Sequence, residues 1–322
     1  MLVYTGIEHY SLERENPSVM NRGLRITAGV ILVAVGVAAL MFYAFGGKKY
    51  ESLNHMMPLG NQVREIRVDG GSGSIEIRFV ESGDGNNTVR IDGEASPAVA
   101  KRIGSAEVRD GVLHLDFRED RRFDWFFHGV RGWNEEMSIT FSLTDDAMAA
   151  LDAFRAGADS GMLTVDGVAA RESVFESDSG SIRIDNLTGG AATVKSDSGS
   201  IRLGRFEGGS LTLQSDSGSI MAETVRAGLK AESDTGSIRI NRLTGAGEIR
   251  TDSGSIRVVK ADDTGLDAVS DSGSVHITVP ASYGGGYDLA SDTGSIRHPE
   301  PAGASNEVIR VRTDSGSILI EQ

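Results

Sequence analysis

The sequence predicts an all-β protein: a parallel β-solenoid with coils of about 19 residues and two main strands each, preceded by one N-terminal transmembrane helix. Two observations carry that expectation. The phrase Ser/Thr-Asp-Ser/Thr-Gly-Ser-Ile/Val recurs eight times between Ser177 and Ile318. Its aspartates, Asp178, Asp197, Asp216, Asp234, Asp252, Asp271, Asp292 and Asp314, are spaced 19, 19, 18, 18, 19, 21 and 22 residues apart. A near-constant period in this range marks an architecture that stacks one small unit. The second observation is Ile26–Phe45, twenty consecutive residues without a charge.

Residues 1–24 read as a short cytoplasmic tail and 25–46 as the membrane helix. A helix over residues 26–45 reaches roughly 30 Å, the thickness of a bilayer's hydrocarbon core. Arg22 and Arg25 flank it on one side, Lys48 and Lys49 on the other. A cleaved signal peptide is the competing reading, because Ala44-Phe45-Gly46 resembles a cleavage site. The preceding segment carries Glu8, Glu13 and Glu15, and the apolar run is longer than a signal peptide needs, which favours an uncleaved anchor. The expected location is the bacterial inner membrane, single-pass, with the β-solenoid extracytoplasmic. The flanking charges do not separate the two orientations.

Residues 47–60 read as a linker and 61–157 as an irregular first part of the solenoid. Within that part, Ile66 and Val68, then Gly-Gly-Ser-Gly-Ser, then Ile75, Ile77 and Phe79 spell strand, turn, strand with one buried face. The segment 121–133 differs in character. It holds both tryptophans and three of the eleven phenylalanines, in Arg121, Arg122, Phe123, Trp125, Phe126, Phe127 and Trp133. Its aromatics either fold back to cap the solenoid or form a binding tip, since aromatic and Arg side chains are enriched in interface cores.

Residues 158–322 read as the regular repeats. In Ser177–Lys195, Ile182 and Ile184 alternate with Arg183, and Ala192 and Val194 alternate with Thr193 and Lys195, giving two short strands joined by turns. Stacking in chain order would align Ile182, Ile201, Ile220, Ile238, Ile256, Val275, Ile296 and Ile318 into one apolar spine. A third side through Leu187, Phe206, Val225 and Leu243 stays open at this stage. The turn glycines Gly180, Gly199, Gly218, Gly236, Gly254, Gly273, Gly294 and Gly316 are expected at positive φ. Each preceding aspartate is expected to close an Asx-type turn. The last strand carries Leu319 where most repeats have Arg, which suggests an open edge and self-association through the C-terminal coil.

The chemistry suggested by these residues is limited. A formal charge of −14 argues against nucleic acid as a partner. Cysteine is absent, so thiolate sites and disulfides are excluded. Asp-Ser-Gly-Ser resembles a serine-protease nucleophile segment, but eight equivalent copies with no matching His contradict a triad. A calcium-binding column is a second reading, although the nine-residue Gly-Gly-x-Gly-x-Asp spacing of β-rolls is absent. Outward Arg183, Arg202, Arg239, Arg257 and Arg297 are expected to offset the aspartates instead. A polysaccharide-acting enzyme needs singular acids or bases, and the repeats offer none. No cofactor and no metal are expected.

The Ser/Thr-Asp-Ser/Thr-Gly-Ser-Ile phrase, with Ile-x-Ile/Leu running through it and a short apolar strand before it, resembles the bacterial "putative adhesin", or toastrack-type, β-solenoid family. The resemblance spans about residues 61–322 and is strongest over 158–322. It implies a non-catalytic extracytoplasmic module tied to adhesion or envelope stress, with an envelope protein or a glycan as partner. It supplies no catalytic residues, and segment 121–133 departs from its repeat pattern.

Overall fold

The structure, a computed structural model, describes residues 50–119, 136–301 and 303–322. The run 26–45 expected to anchor the chain and the insert 121–133 lie outside the described residues. Among the described residues no helix is long and apolar enough to cross a membrane.

The chain opens with β1 (Glu51–Pro58), β2 (Glu65–Asp69), β3 (Ser74–Glu81), β4 (Thr88–Ala95) and helix α1 (Pro97–Gly104). β5 (Val112–Asp116), β6 (Glu136–Leu143) and helix α2 (Asp145–Ala149) follow. The regular part runs through β7 (Ala153–Ala158), β8 (Leu163–Asp166), β9 (Val168–Ser177), β10 (Ile182–Ser196), β11 (Ile201–Ser215) and β12 (Ile220–Ser233). It continues as β13 (Ile238–Thr244), β14 (Gly247–Thr251), β15 (Ile256–Lys260), β16 (Leu266–Ser270) and β17 (Val275–Thr278). The last strands are β18 (Gly286–Ser291), β19 (Ile296–Arg297), β20 (Val308–Thr313) and β21 (Ile318–Glu321).

These strands form a parallel β-solenoid. From Ala153 onward the chain makes about nine turns of roughly 19 residues. Each turn stacks in register on the last, so Ile182 lies over Ile201, Ile201 over Ile220, and Ile220 over Ile238. Period-2 alternation places Ile182, Ile184, Ala192 and Val194 inside, with Arg183 and Lys195 outside. A third apolar column runs through Leu187, Phe206, Val225 and Leu243, each buried and each paired with the next. It ends where Leu243 meets Lys260.

The first part differs from its expected outline. Residues 51–58, read as linker, form β1, which pairs antiparallel with β4 and buries Leu53 and Met57. β4 in turn pairs antiparallel with β6. Helix α1 starts at Ser96, whose Oγ accepts the Val99 N–H at 3.3 Å, and Pro97 follows, where its missing N–H costs nothing. α1 buries Val99 and Ile103 against β1, β4 and β5, closing the N-terminal end of the core.

At both ends the stacking order departs from the chain order. β5 and β6 lie outside β2 and β3, which stack directly on β7 and β8. At the C-terminal end, β20 and β21 pair with β16 and β17 on one side and with β18 and β19 on the other. The spine therefore runs Val275, Ile318, Ile296. Leu319 sits between His276 and Arg297 and marks no open edge. The open edge belongs to β18 and β19, where Ile296 is 39% exposed. That correction removes the basis for self-association through the final strand.

Candidate functional site

The recurring phrase occupies one long edge of the solenoid, at the turns between paired strands. Backbone hydrogen bonds run from coil to coil through it, such as the Asp197 N–H to the Ser177 carbonyl at 3.1 Å. The turn glycines are not at positive φ, contrary to expectation; among the described residues that conformation falls elsewhere, at Gly189 and Gly245 for example. Their requirement is close approach. A Cβ on Gly218 would sit 2.0 Å from the Gly199 carbonyl oxygen one coil away, and one on Gly199 would sit 1.9 Å from that of Gly180. Successive turns pack backbone on backbone, and only Gly fits.

The side chain that closes each turn is the first Ser or Thr of the phrase, not the Asp. Ser196 Oγ accepts the Gly199 N–H at 2.9 Å and donates to the Gly180 carbonyl at 3.2 Å. Ser215 and Ser233 repeat both bonds. Thr251, Ser270 and Thr313 donate to the preceding glycine in the same way. These hydroxyls are buried. The expected Asx turns do not form: Asp178, Asp197, Asp216, Asp234, Asp252, Asp271, Asp292 and Asp314 are all exposed. The arginines expected to offset them do not reach them either. Arg183 pairs with Asp185 at 3.0 Å, and Arg202, Arg239, Arg257 and Arg297 have no ion-pair partner among the described residues.

In the chain, the insert 121–133 falls between β5 and β6, the outermost parallel coil at the N-terminal end. It thus stands in the chain where other coils carry the phrase. Arg121, Arg122, Phe123, Trp125, Phe126, Phe127 and Trp133 lie outside the described residues.

The chain matches the family described as Toastrack DUF4097 over residues 63–321. It belongs to that family. The Toastrack region covers both the regular coils and the irregular first part, and stops short of the uncharged run 26–45. No curated protein matches the chain. Among solved structures, a "putative adhesin" of Parabacteroides distasonis is 14% identical with a TM-score of 0.48, covering 86% of this chain and 98% of its own. A "putative lipid binding protein" of the same organism is 16% identical with a TM-score of 0.48, covering 84% and 97%. A "putative adhesin" of Bacteroides fragilis is 17% identical with a TM-score of 0.40, covering 85% and 99%. These scores are too low to carry fold or function across.

Two features of the Toastrack chain break its regularity, and sequence reasoning missed the first of them. Lys260 takes the place after Leu243 in an otherwise apolar column, and its side chain is fully buried. Its Nζ donates to the Gly245 carbonyl at 2.5 Å and to Thr264 Oγ1 at 2.7 Å, and pairs with Asp262 at 2.8 Å. Burial lowers the Lys260 pKa against the pull of Asp262. Extending the column one repeat beyond Leu243 would have found it. The second is an aromatic group at the open end. Tyr283 packs on Tyr287 at 5.6 Å, and Tyr287 on His298 at 5.5 Å. Burial pushes the Tyr283 phenol up to about 12, so it stays a neutral donor, bonded to the Gly286 carbonyl at 3.2 Å. A shallow depression of about 240 Å³ nearby is lined by Gly247, Gly265, Asp267, Asn306, Glu307 and Arg310, among others.

Proposed function

We propose that this chain is a non-catalytic binding or scaffolding module of the cell envelope, held at the inner membrane by residues 26–45 with its solenoid outside the cytoplasm. One observation carries the non-catalytic reading. The phrase that looked most like chemistry recurs in the same structural role from coil to coil, its hydroxyl and glycine both serving the stack. The eight copies therefore form a wall. A stacked wall of this kind presents an extended rigid surface, which suits binding better than turnover. The uncharged run, by its length, supports the anchor.

The aromatic insert 121–133 is the proposed partner-binding tip. Its test is a pull-down from envelope extracts with the full chain and with residues 121–133 deleted. Loss of specific partners on deletion supports the reading, and an unchanged set refutes the tip. Alkaline carbonate extraction checks the anchor: the protein stays in the membrane fraction if residues 26–45 hold it there. A calcium-dependent or glycan-binding adhesin is the second reading, favoured by the exposed aspartate column. A melting temperature raised by calcium and lowered by a chelator would select its calcium form.

A further inference from the structure

Outward basic side chains on this solenoid are commonly neutralised by a carboxylate two residues away on the same strand. Arg67 pairs with Glu65, Arg90 with Asp92, Arg205 with Glu207, Lys230 with Glu232 and Arg250 with Glu248, at 2.6–2.9 Å. One column breaks that habit. Arg183, Arg202, Met221, Arg239 and Arg257 stack in register on the outward face of the strands that follow the turn. Arg183 keeps its partner, Asp185. Two residues beyond Arg202, Arg239 and Arg257 stand Gly204, Asn241 and Val259, so the same-strand carboxylate is missing. All three arginines are exposed and without an ion pair among the described residues.

Stacked coils lie about 4.8 Å apart, so Arg239 and Arg257 are like charges directly opposite each other, an arrangement that costs stability. In a chain of net charge −14, leaving such cations unneutralised is informative. Two residues upstream, Ser200, Ser237 and Ser255 form a parallel column of hydroxyls, and Ser237 and Ser255 are 3.2 Å apart. The exposed aspartates of the turn edge flank the strip on that side. A wide polyanion, such as a duplex or a bilayer surface, would press its phosphates against those carboxylates. A single thin chain would not.

We propose that the strip Arg202–Arg239–Arg257, with its serine column, binds a linear acidic polysaccharide laid along the stacking direction. The guanidinium groups of Arg239 and Arg257, on adjacent coils, take neighbouring carboxylates of the glycan, Arg202 takes one further along, and the serines take its hydroxyls. This deepens the binding-module reading and rests on it, but it uses different residues from the aromatic insert.

The test uses full-length protein in detergent and a fluorescent oligogalacturonate long enough to span four coils, roughly 15–20 Å. Saturable binding that weakens with added salt is expected, since exposed charges are screened. The triple variant R202Q/R239Q/R257Q should lose about tenfold or more in affinity, the scale of three exposed charge contacts. A triple variant of paired arginines, R67Q/R90Q/R250Q, changes net charge equally and should stay within about twofold. Circular dichroism establishes that both variants keep the fold. The proposal falls if the wild type shows no saturable binding, or if both triples lose affinity equally. It falls as well if oligothymidylate or phosphatidylglycerol vesicles bind as tightly through the same arginines. If uronate binding is absent while deletion of 121–133 still strips partners, only this inference is lost.

Discussion

Ser215 donates its hydroxyl to the carbonyl of Gly199 in the neighbouring coil, at 3.3 Å, while accepting the Gly218 N–H of its own turn at 2.9 Å. One buried side chain thus satisfies a donor and an acceptor that tight stacking would otherwise strand. Ser215→Ala should cost about 1–3 kcal/mol, the range for orphaned buried polar groups. Ser215→Thr should be tolerated, because Thr251 makes the equivalent bond to Gly236 at 3.0 Å. Asp216→Ala, at an exposed neighbour, should stay within about 0.5 kcal/mol. Urea denaturation of the three variants decides. An Asp216→Ala loss as large as that of Ser215→Ala would return the turn to the aspartate.

Gly218 tests the reason for glycine. A Cβ there meets the Gly199 oxygen at 2.0 Å whatever the residue, so Gly218→Ala and Gly218→Asn should both destabilise, by about 1–3 kcal/mol or more. At a left-handed position Asn would be distinctly better tolerated than Ala. A clear advantage for Asn in melting experiments would contradict the close-approach reading.

The period, the parallel stacking and the apolar columns were legible because each depends on what a residue has above and below it at a constant spacing. Ile182 and Ile201 announce one another. The role of each residue within the phrase was not legible, because Ser, Asp and Gly recur together and their spacing cannot say which one bonds. Chain order also concealed stacking order: Ile318 lies between Val275 and Ile296 through a return of the chain that no period records. The unpaired arginines were visible as residues. That they stack on one face needed the register, since only the columns reveal that Arg202, Arg239 and Arg257 share it.

Lys260 and Asp262 form an ion pair at 2.8 Å where the third column breaks. Burial works against the Asp262 charge, but Lys260, the Gly245 N–H and Thr264 outweigh it and hold its carboxyl below the ordinary carboxylate range. Asp262 therefore adds stability above the ordinary carboxylate range, and that stability is lost as pH falls through the folded value. Asp262→Asn should cost about 2–3 kcal/mol at pH 7, somewhat less than removing a partner from a fully buried pair, because its carboxylate is 26% exposed. The difference from wild type should narrow at pH 3. Lys260→Met restores the apolar column of Leu187, Phe206, Val225 and Leu243 and leaves Asp262 partly in water with its Gly245 N–H and Thr264 bonds, so it should cost less than Asp262→Asn. Chemical denaturation at both pH values provides the check. A Lys260→Met loss exceeding that of Asp262→Asn would mean that the ammonium's hydrogen bonds, rather than its counter-charge, hold the corner.

Hydrogen exchange should reveal which coil ends the stack. β20 and β21 are covered on both sides, and Ile309, Val311, Ile318 and Ile320 are at most 2% exposed. β18 and β19 pair on one side only, and Ile296 is 39% exposed. Opening the outer pair uncovers little apolar surface, whereas opening the inner pair means disrupting the core between two neighbours. Amides of residues 286–291 and 296–297 should therefore exchange through local fraying, at an opening free energy about 2–3 kcal/mol below that of residues 309–313 and 318–321. A chain stacked in sequence order gives the reverse, with the C-terminal strand least protected. Substitution separates the two orders as well. Ile296→Asp should cost less than about 1 kcal/mol, since its side chain is already partly in water. Ile318→Asp buries a carboxylate in the spine and should cost several times more. Equal losses at the two positions would place them at equivalent depth and refute the inserted final coil.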